Sequence, residues 1–164
     1  MGSSPFNVAV LAALAAFSVP SLGHGPIGGA ATETTVPASA REAAAIVDAF
    51  HAGLRRQDTR AAAALLAEDA LIFESGGVER SKAEYAAHHL KADAAFSQAV
   101  RSTVTRRQGS SSGKMAWVAS EGRVSGKWKG KPVSEVTTES MILRRTSAGW
   151  KIVHIHWSSA PIHN

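Results

Sequence analysis

From Gln98 onward the chain follows a period of two, and Gly/Ser-rich breaks interrupt it at 108–113, around Lys129 and Gly130, and at 146–149. The pattern predicts four strands, at 98–107, 114–126, 132–145 and 150–158. Parallel neighbours need a crossover of a dozen or more residues, so connections this short make consecutive strands antiparallel. The second half of the chain is therefore expected to be a meander, and the first half must cover it.

The last strand says most about a site. By simple alternation Trp150, Ile152, His154 and His156 share one face, while Val153, Ile155 and Trp157 share the other. One row is wholly apolar and the other runs from apolar to imidazole, so neither reads as a solvent face. The expectation is a strand covered on both sides, with two histidines pointing into an enclosure.

Helices account for the cover. Ser39 with Glu42, and Ser81 with Glu84, have the spacing of capping boxes, in which the serine oxygen accepts from an amide three residues on and the glutamate reaches back. After the first, Ala43, Ile46, Val47, Phe50 and Leu54 form an apolar stripe at helical spacing. Asp58 is placed to cap a short second helix through 61–66, and 70–74 turns extended before Gly76 and Gly77. In the helix after Ser81, Tyr85, His88, His89, Ala92 and Phe96 recur at spacings of three and four, which puts both histidines on or beside the inward stripe and leaves Glu84, Lys91 and Asp93 to water. The order helix, helix, strand, helix, meander is an α+β layout with helices on one face of a bent sheet.

At 164 residues there is room for one ordinary domain, and with no cysteine there are no disulfides, thiolate nucleophiles or zinc–thiolate sites. Residues 1–32 carry no Asp, Glu, Lys or Arg, and 8–19 is apolar apart from Ser18, the length of a signal-peptide core and too short to span a bilayer. A signal peptide over 1–30, a flexible lead-in over 31–38 and a domain over 39–160 follow as expectations, with a periplasmic or secreted destination and no membrane span. The net charge of +5 is unevenly distributed: 33–96 holds ten acidic and seven basic side chains, 97–164 three acidic and eleven basic. Many of those cations fall at turns and strand ends, where they blunt sheet edges, and the aromatic interleaving of a single-strand binder is missing; no nucleic-acid partner is expected.

The helix around Ile46, Val47, Asp48, Ala49 and Phe50, the Asp58 step, residues 69–73, the run 138–145 and the run 149–158 together resemble the nuclear transport factor 2-like superfamily, and within it the SnoaL-like domains. The resemblance covers about 40–158 and implies a cone-shaped α+β barrel, in which three N-terminal helices pack into a strongly curved, mostly antiparallel sheet. It further implies a pocket at the open end and a homodimer through the outer sheet face, here Val153, Ile155 and Trp157. Members include ketosteroid isomerases, polyketide cyclases, dehydratases and non-catalytic binding domains, so the fold does not choose an activity. Isomerases of the family pair a carboxylate base with a tyrosine and a protonated acid. The single tyrosine here, Tyr85, sits in no matching motif, and no catalytic residue is carried across.

Two constellations are left to weigh. Glu139 and Glu121 lie mid-strand, where a carboxylate is costly unless it faces water or a pocket, so Glu139 with His156 is the expected acid–base pair. Phe73, Glu74, Tyr85, His88, His89, Trp117, Glu121 and His154 are the expected pocket residues around a small organic ligand, with no cofactor. Alternatively the domain is a non-catalytic dimerisation module, or His154, His156 and His88 hold a metal with a carboxylate. Trp117 and Trp150 are expected inside the cone and Trp128 at its rim. A cone filled by Phe73, Met115 and Trp117 would leave no room for a ligand.

Overall fold

The computed structural model describes residues 33–162, so the leader expected over 1–30 lies outside the described residues. Within the expected lead-in, Glu33–Thr35 forms a short strand, β1. A 3-10 turn at Ala38–Ala40 then leads into α1, Arg41–Arg55, and α2, Thr59–Ala64. Strands β2, Leu66–Glu74, and β3, Gly77–Glu79, precede α3, Lys82–His88, and α4, Leu90–Ala99. The meander follows as β4, Val100–Ser112, β5, Met115–Trp128, β6, Lys131–Thr146, and β7, Gly149–Pro161. The seven strands form one sheet in the order β1-β4-β5-β6-β7-β2-β3, antiparallel except where β1 joins β4 and β2 joins β7. The curved sheet and the helices it holds are the α+β cone that the residue pattern and the resemblance implied. No helix among the described residues is long and apolar enough to cross a membrane.

Local chemistry explains most of the element ends. Asp58 caps α2 by accepting from the Ala61 amide at 2.9 Å, and the Ser81 hydroxyl caps α3 by accepting from the Glu84 amide at 3.0 Å. The first expected capping box does not form. Ser39 is drawn into the 3-10 turn, α1 starts after Ala40 with no side-chain cap, and Glu42 pairs with Arg145 instead. The third helix is broken in two at His89, whose carbonyl accepts from the Asp93 amide and opens α4. Two hairpins, Glu74 to Gly77 and Trp128 to Lys131, turn through two residues of positive φ: Ser75 and Gly76 at 49° and 81°, Lys129 and Gly130 at 49° and 80°. That is the type I′ geometry matching strand twist, and it explains glycine at each second position.

Inside the cone, Val47, Phe50 and Leu54 of α1 meet a row of sheet residues in cross-strand register: Val118, Met141, Ile155 and Ile72. All four of those are at most 1% exposed, which makes the row the floor of the core.

The floor overturns the expected faces of β7. Leu143 pairs with Ile152 but Ile142 pairs with His154, so Val153 is an extra residue with no partner on β6. A bulge of one residue reverses the alternation beyond it. Trp150 and Ile152 point inward as expected, and past the bulge Ile155 and Trp157 point inward while His154 and His156 point out. The dimer row Val153, Ile155, Trp157 is therefore not an outer row.

Candidate functional site

One further inward row lies directly beyond the floor. Arg107 pairs with Ser120, Ser120 with Glu139, Glu139 with Trp157, and Trp157 with Glu74, so a single polar and aromatic row crosses β4, β5, β6, β7 and β2. It lines a cavity of about 500 Å³ closed on the helix side by Asp48, His51 and Leu54 of α1 and by Asp93 and Phe96 of α4. Cavities of this size hold small organic molecules.

Glu139 is the centre of the row. Its side chain is only 10% exposed, and its Oε2 accepts from His51 Nε2 and from Trp157 Nε1, each at 2.7 Å. Burial works to raise the carboxyl, but the His51 charge, the hydrogen bonds from His51 and Trp157 and the charge of Arg107 together outweigh it and hold Glu139 below the usual carboxylate value. Arg107 is itself positioned by donating to Asp48 Oδ1 at 2.6 Å and to Ser120 Oγ at 3.1 Å. Both donors to Glu139 land on Oε2. Among the described residues Oε1 has no hydrogen-bond partner, yet unlike the unpaired Trp150 Nε1 it is not fully enclosed. The arrangement holds one carboxylate oxygen fixed and leaves the other open to the cavity.

The other end of the row has opposite electrostatics. Glu74 is exposed as a whole, yet partial desolvation at the cavity raises its carboxyl, and the charge of Asp93 raises it further. Burial also raises Asp93, against the opposing effects of a 2.8 Å hydrogen bond from the Tyr85 hydroxyl and of the His89 charge. Tyr85 is itself pushed up by burial, then by Asp93. A carboxyl whose folded value is raised favours the folded state at low pH and loses that advantage as pH rises through the folded value. Asp93→Asn keeps an acceptor for Tyr85 and removes the ionisation. Its stability curve is expected to match the parent's near pH 4 and to exceed it by about 1 kcal/mol above neutrality, as read by urea unfolding across pH. A variant no more stable than the parent at alkaline pH would count against the crowded-carboxyl description.

Of the residues expected in a pocket, Glu139, Glu74 and Glu121 border the cavity, and Glu121 is exposed on the other parity from Ser120. Tyr85 is fully buried behind the wall, 6.4 Å from the Trp157 ring. His156 is not beside the Glu139 carboxylate, because it lies on the outer face with Phe73, the rings 6.2 Å apart. His154 is on that face too, its Nδ1 donating to the Leu71 carbonyl at 2.9 Å. Trp117 is exposed, His88 and His89 are exposed, and His89 contacts Glu79. The metal alternative loses its ligands for the same reason: no group of three His, Asp or Glu among the described residues converges on one point. Nor do Phe73, Met115 and Trp117 fill the cone, since they lie on its outside or half-buried against it. Trp150 is in the core, and Trp128 stands at the cavity with its ring edge-on to Phe96 at 5.6 Å.

The residues that alternation did not reveal are His51, Trp157, Arg107 and Asp93. For His51 a signal was present: 47, 50, 51 and 54 are successive positions of one helical stripe, and a histidine interrupting an otherwise apolar stripe marks a polar partner inside.

A family model for the SnoaL-like domain matches residues 43–163. A structure from Shewanella frigidimarina, described as a candidate ketosteroid isomerase, is 34% identical over 76% of this chain and 100% of its own, with a TM-score of 0.71. A candidate dehydratase of the NTF2-like family from Streptomyces avermitilis is 19% identical over 76% of this chain and 96% of its own, TM-score 0.60. A candidate calcium/calmodulin-dependent kinase II association domain from Xanthomonas campestris is 20% identical over 84% of this chain and 100% of its own, TM-score 0.66. No match was found among functionally curated proteins. The last two structures share only the fold with this chain, whereas the family model runs from within α1 through the Glu139 strand and β7 and the Shewanella structure is 34% identical: the chain belongs to the SnoaL-like domain family, in its NTF2-like cone.

Proposed function

We propose that the domain binds a small organic molecule in the cone and moves a proton on it without a cofactor, with Glu139 as the base. The observation that carries this reading is the division of labour within one carboxylate. Oε2 is held by His51 and Trp157, which keeps the group ionised and oriented, while Oε1 has no partner among the described residues on a side chain that lines the cavity. A positioned, water-shielded carboxylate can take a proton from a carbon next to a carbonyl and return it to a neighbouring atom, and one such base contributes about 10²–10⁴-fold. Isomerisation and dehydration both begin with that step, and the similarity to a candidate ketosteroid isomerase and a candidate dehydratase supports the same class. The test is deuterium uptake at the α-carbon of a panel of small ketones in D₂O. The parent protein is expected to accelerate exchange for at least one ketone, and Glu139→Gln to lose about 10²-fold or more of that rate with ketone binding retained. Equal exchange by parent and variant would remove Glu139 from the role. Export belongs to the same reading, supported by the uncharged apolar run at 8–19, and amino-terminal sequencing of protein recovered from the periplasm or medium would check it.

A second reading, an interaction module, rests on a separate observation. Met115, Trp117, Val136 and Ile142 are the exposed large hydrophobic side chains among the described residues, and all four stand on the outer face of β5 and β6. Trp117, Ile142, His154 and Leu71 continue as one row across four strands, in the place where the expected dimer row proved absent. Contiguous apolar surface of this kind is covered in most proteins, and some structural relatives are described as association domains. A homodimer through this face is expected. Trp117→Glu with Ile142→Glu should convert a dimer to a monomer in sedimentation experiments without changing the far-UV spectrum. A parent protein that stays monomeric at high concentration would sink the outer-face dimer.

A further inference from the structure

The cavity carries a charge sign that its protein does not. The chain as a whole is +5, yet six carboxyl residues border the cavity (Asp48, Glu74, Asp93, Glu121, Glu135 and Glu139) against Arg55, Arg107, Lys129 and His51. The inner cations already have carboxylate partners: Arg107 is engaged by Asp48 and near Glu139, and His51 is engaged by Glu139. Lys129 stands at the mouth over the Trp128 ring, 5.4 Å from its centroid. Arg55, at the end of α1, is exposed to solvent, so an entering carboxylate or phosphate finds its unpaired cations, Arg55 and Lys129, at the exposed edge and not beside Trp157.

Glu74, exposed at the end of β2, has no ion-pair partner among the described residues, and Asp93 lines the same cavity, near enough for its charge to act on Glu74. The groups that act on Asp93 are Tyr85 of α3, Glu74 of β2 and His89 between α3 and α4; His89 is mostly solvent-exposed and is engaged with Glu79. Trp157 stands between Glu74 and Glu139 in the cross-strand row, its ring stacked on Phe50 at 6.3 Å, and it lines the same space. Glu139, nine-tenths buried, adds its unpartnered Oε1 across that ring. Two carboxyls that line one cavity with an indole form the environment that stabilises an ammonium group, through charge pairing on one side and the ring quadrupole on the other.

We propose that the natural ligand is a small organic amine, protonated at neutral pH, whose nitrogen sits at Glu74 and Asp93 beside Trp157 while its carbon skeleton reaches toward Glu139. This rests on the ligand-binding reading above and narrows it to a substrate class. The amine relieves the mutual repulsion of Glu74 and Asp93, and a carboxylate in the same place adds a third like charge.

The experiment compares three probes of one skeleton, 2-phenylethylamine, 2-phenylethanol and phenylacetate, by titration calorimetry against the full protein. The amine is expected to bind roughly tenfold tighter than the alcohol, with the carboxylate weakest. Raised salt should narrow the gap between amine and alcohol, as charge pairing requires. Glu74→Gln combined with Asp93→Asn, both near-isosteric and both removing repulsion, should bring the amine to the alcohol's affinity and leave the alcohol unchanged. A carboxylate that binds as tightly as the amine overturns the proposal, as does a double variant that keeps the amine preference. Equal binding of all three probes overturns the charge selection alone, because the cavity would still hold small molecules and the deuterium-exchange test of Glu139 would stand. No binding of any probe at millimolar concentration overturns both readings.

Discussion

Ile155→Ala is expected to destabilise the domain by about 3 kcal/mol, a drop of roughly 10 °C in Tm, while Val153→Ala two residues away costs about 1 kcal/mol or less. The difference follows from the bulge. Ile155 is fully buried in the floor row with Val118, Met141 and Ile72, so its loss leaves a cavity that the close-packed neighbours cannot fill. Val153 is half-buried and faces no residue of β6. Plain alternation puts the two valine and isoleucine side chains on one face and expects similar costs. Urea unfolding of both variants decides between the descriptions, and equal losses would mean that β7 runs without the bulge.

The second large effect concerns Glu139. Glu139→Ala removes the acceptor for two half-buried donors at once, His51 Nε2 and Trp157 Nε1, and is expected to cost about 2–4 kcal/mol. Glu139→Gln keeps an amide oxygen in place of Oε2 and should cost about 1 kcal/mol at neutral pH. The pH dependence has a definite sign. The folded carboxyl lies below its ordinary value, so the stability it contributes is complete above about pH 4–5 and is lost as pH falls through the lowered folded value. The parent should therefore lose stability in acid more steeply than Glu139→Gln, and the two curves should converge at low pH. Parallel curves from neutrality to pH 3 would show that Glu139 titrates alike in the folded and unfolded chain. Trp157 fluorescence gives an independent reading, because its indole N–H loses a charged acceptor in the variant.

Much of the architecture was legible in residue spacing. The four meander strands, the glycine breaks at Gly76 and Gly130, the capping roles of Asp58 and Ser81 and the apolar stripe of α1 each follow from a local rule, and the structure honours them. Glu139 was found because a carboxylate in mid-strand demands an explanation. Apart from the unformed Ser39 capping box and the outward Trp117, the failures come from two points where a local rule gives way to a tertiary one. A bulge has no residue signature at Val153, so every side chain after it was placed on the wrong face, which exchanged the histidines with Trp157 and Ile155. The break at His89 turned a continuous helical stripe into two short helices, which left His88 and His89 in solvent and brought Asp93 to the cavity. His51 is a different case: it stood on the α1 stripe all along, and only its partner 88 residues away makes it functional.

The two I′ hairpins have a kinetic consequence. Ser75 and Lys129, the first residues of those turns, border the cavity, so two tight reversals with two residues each form part of its rim. Turns this short have no slack to fold over a ligand or to swing away from it. Exchange through this part of the mouth then depends on rotation of side chains such as Trp128 and Phe96, half-buried and packed edge to face, rather than on microsecond rearrangement of a loop. Residence time in such a site is set by the strength of the contacts inside it, not by the opening of a cover.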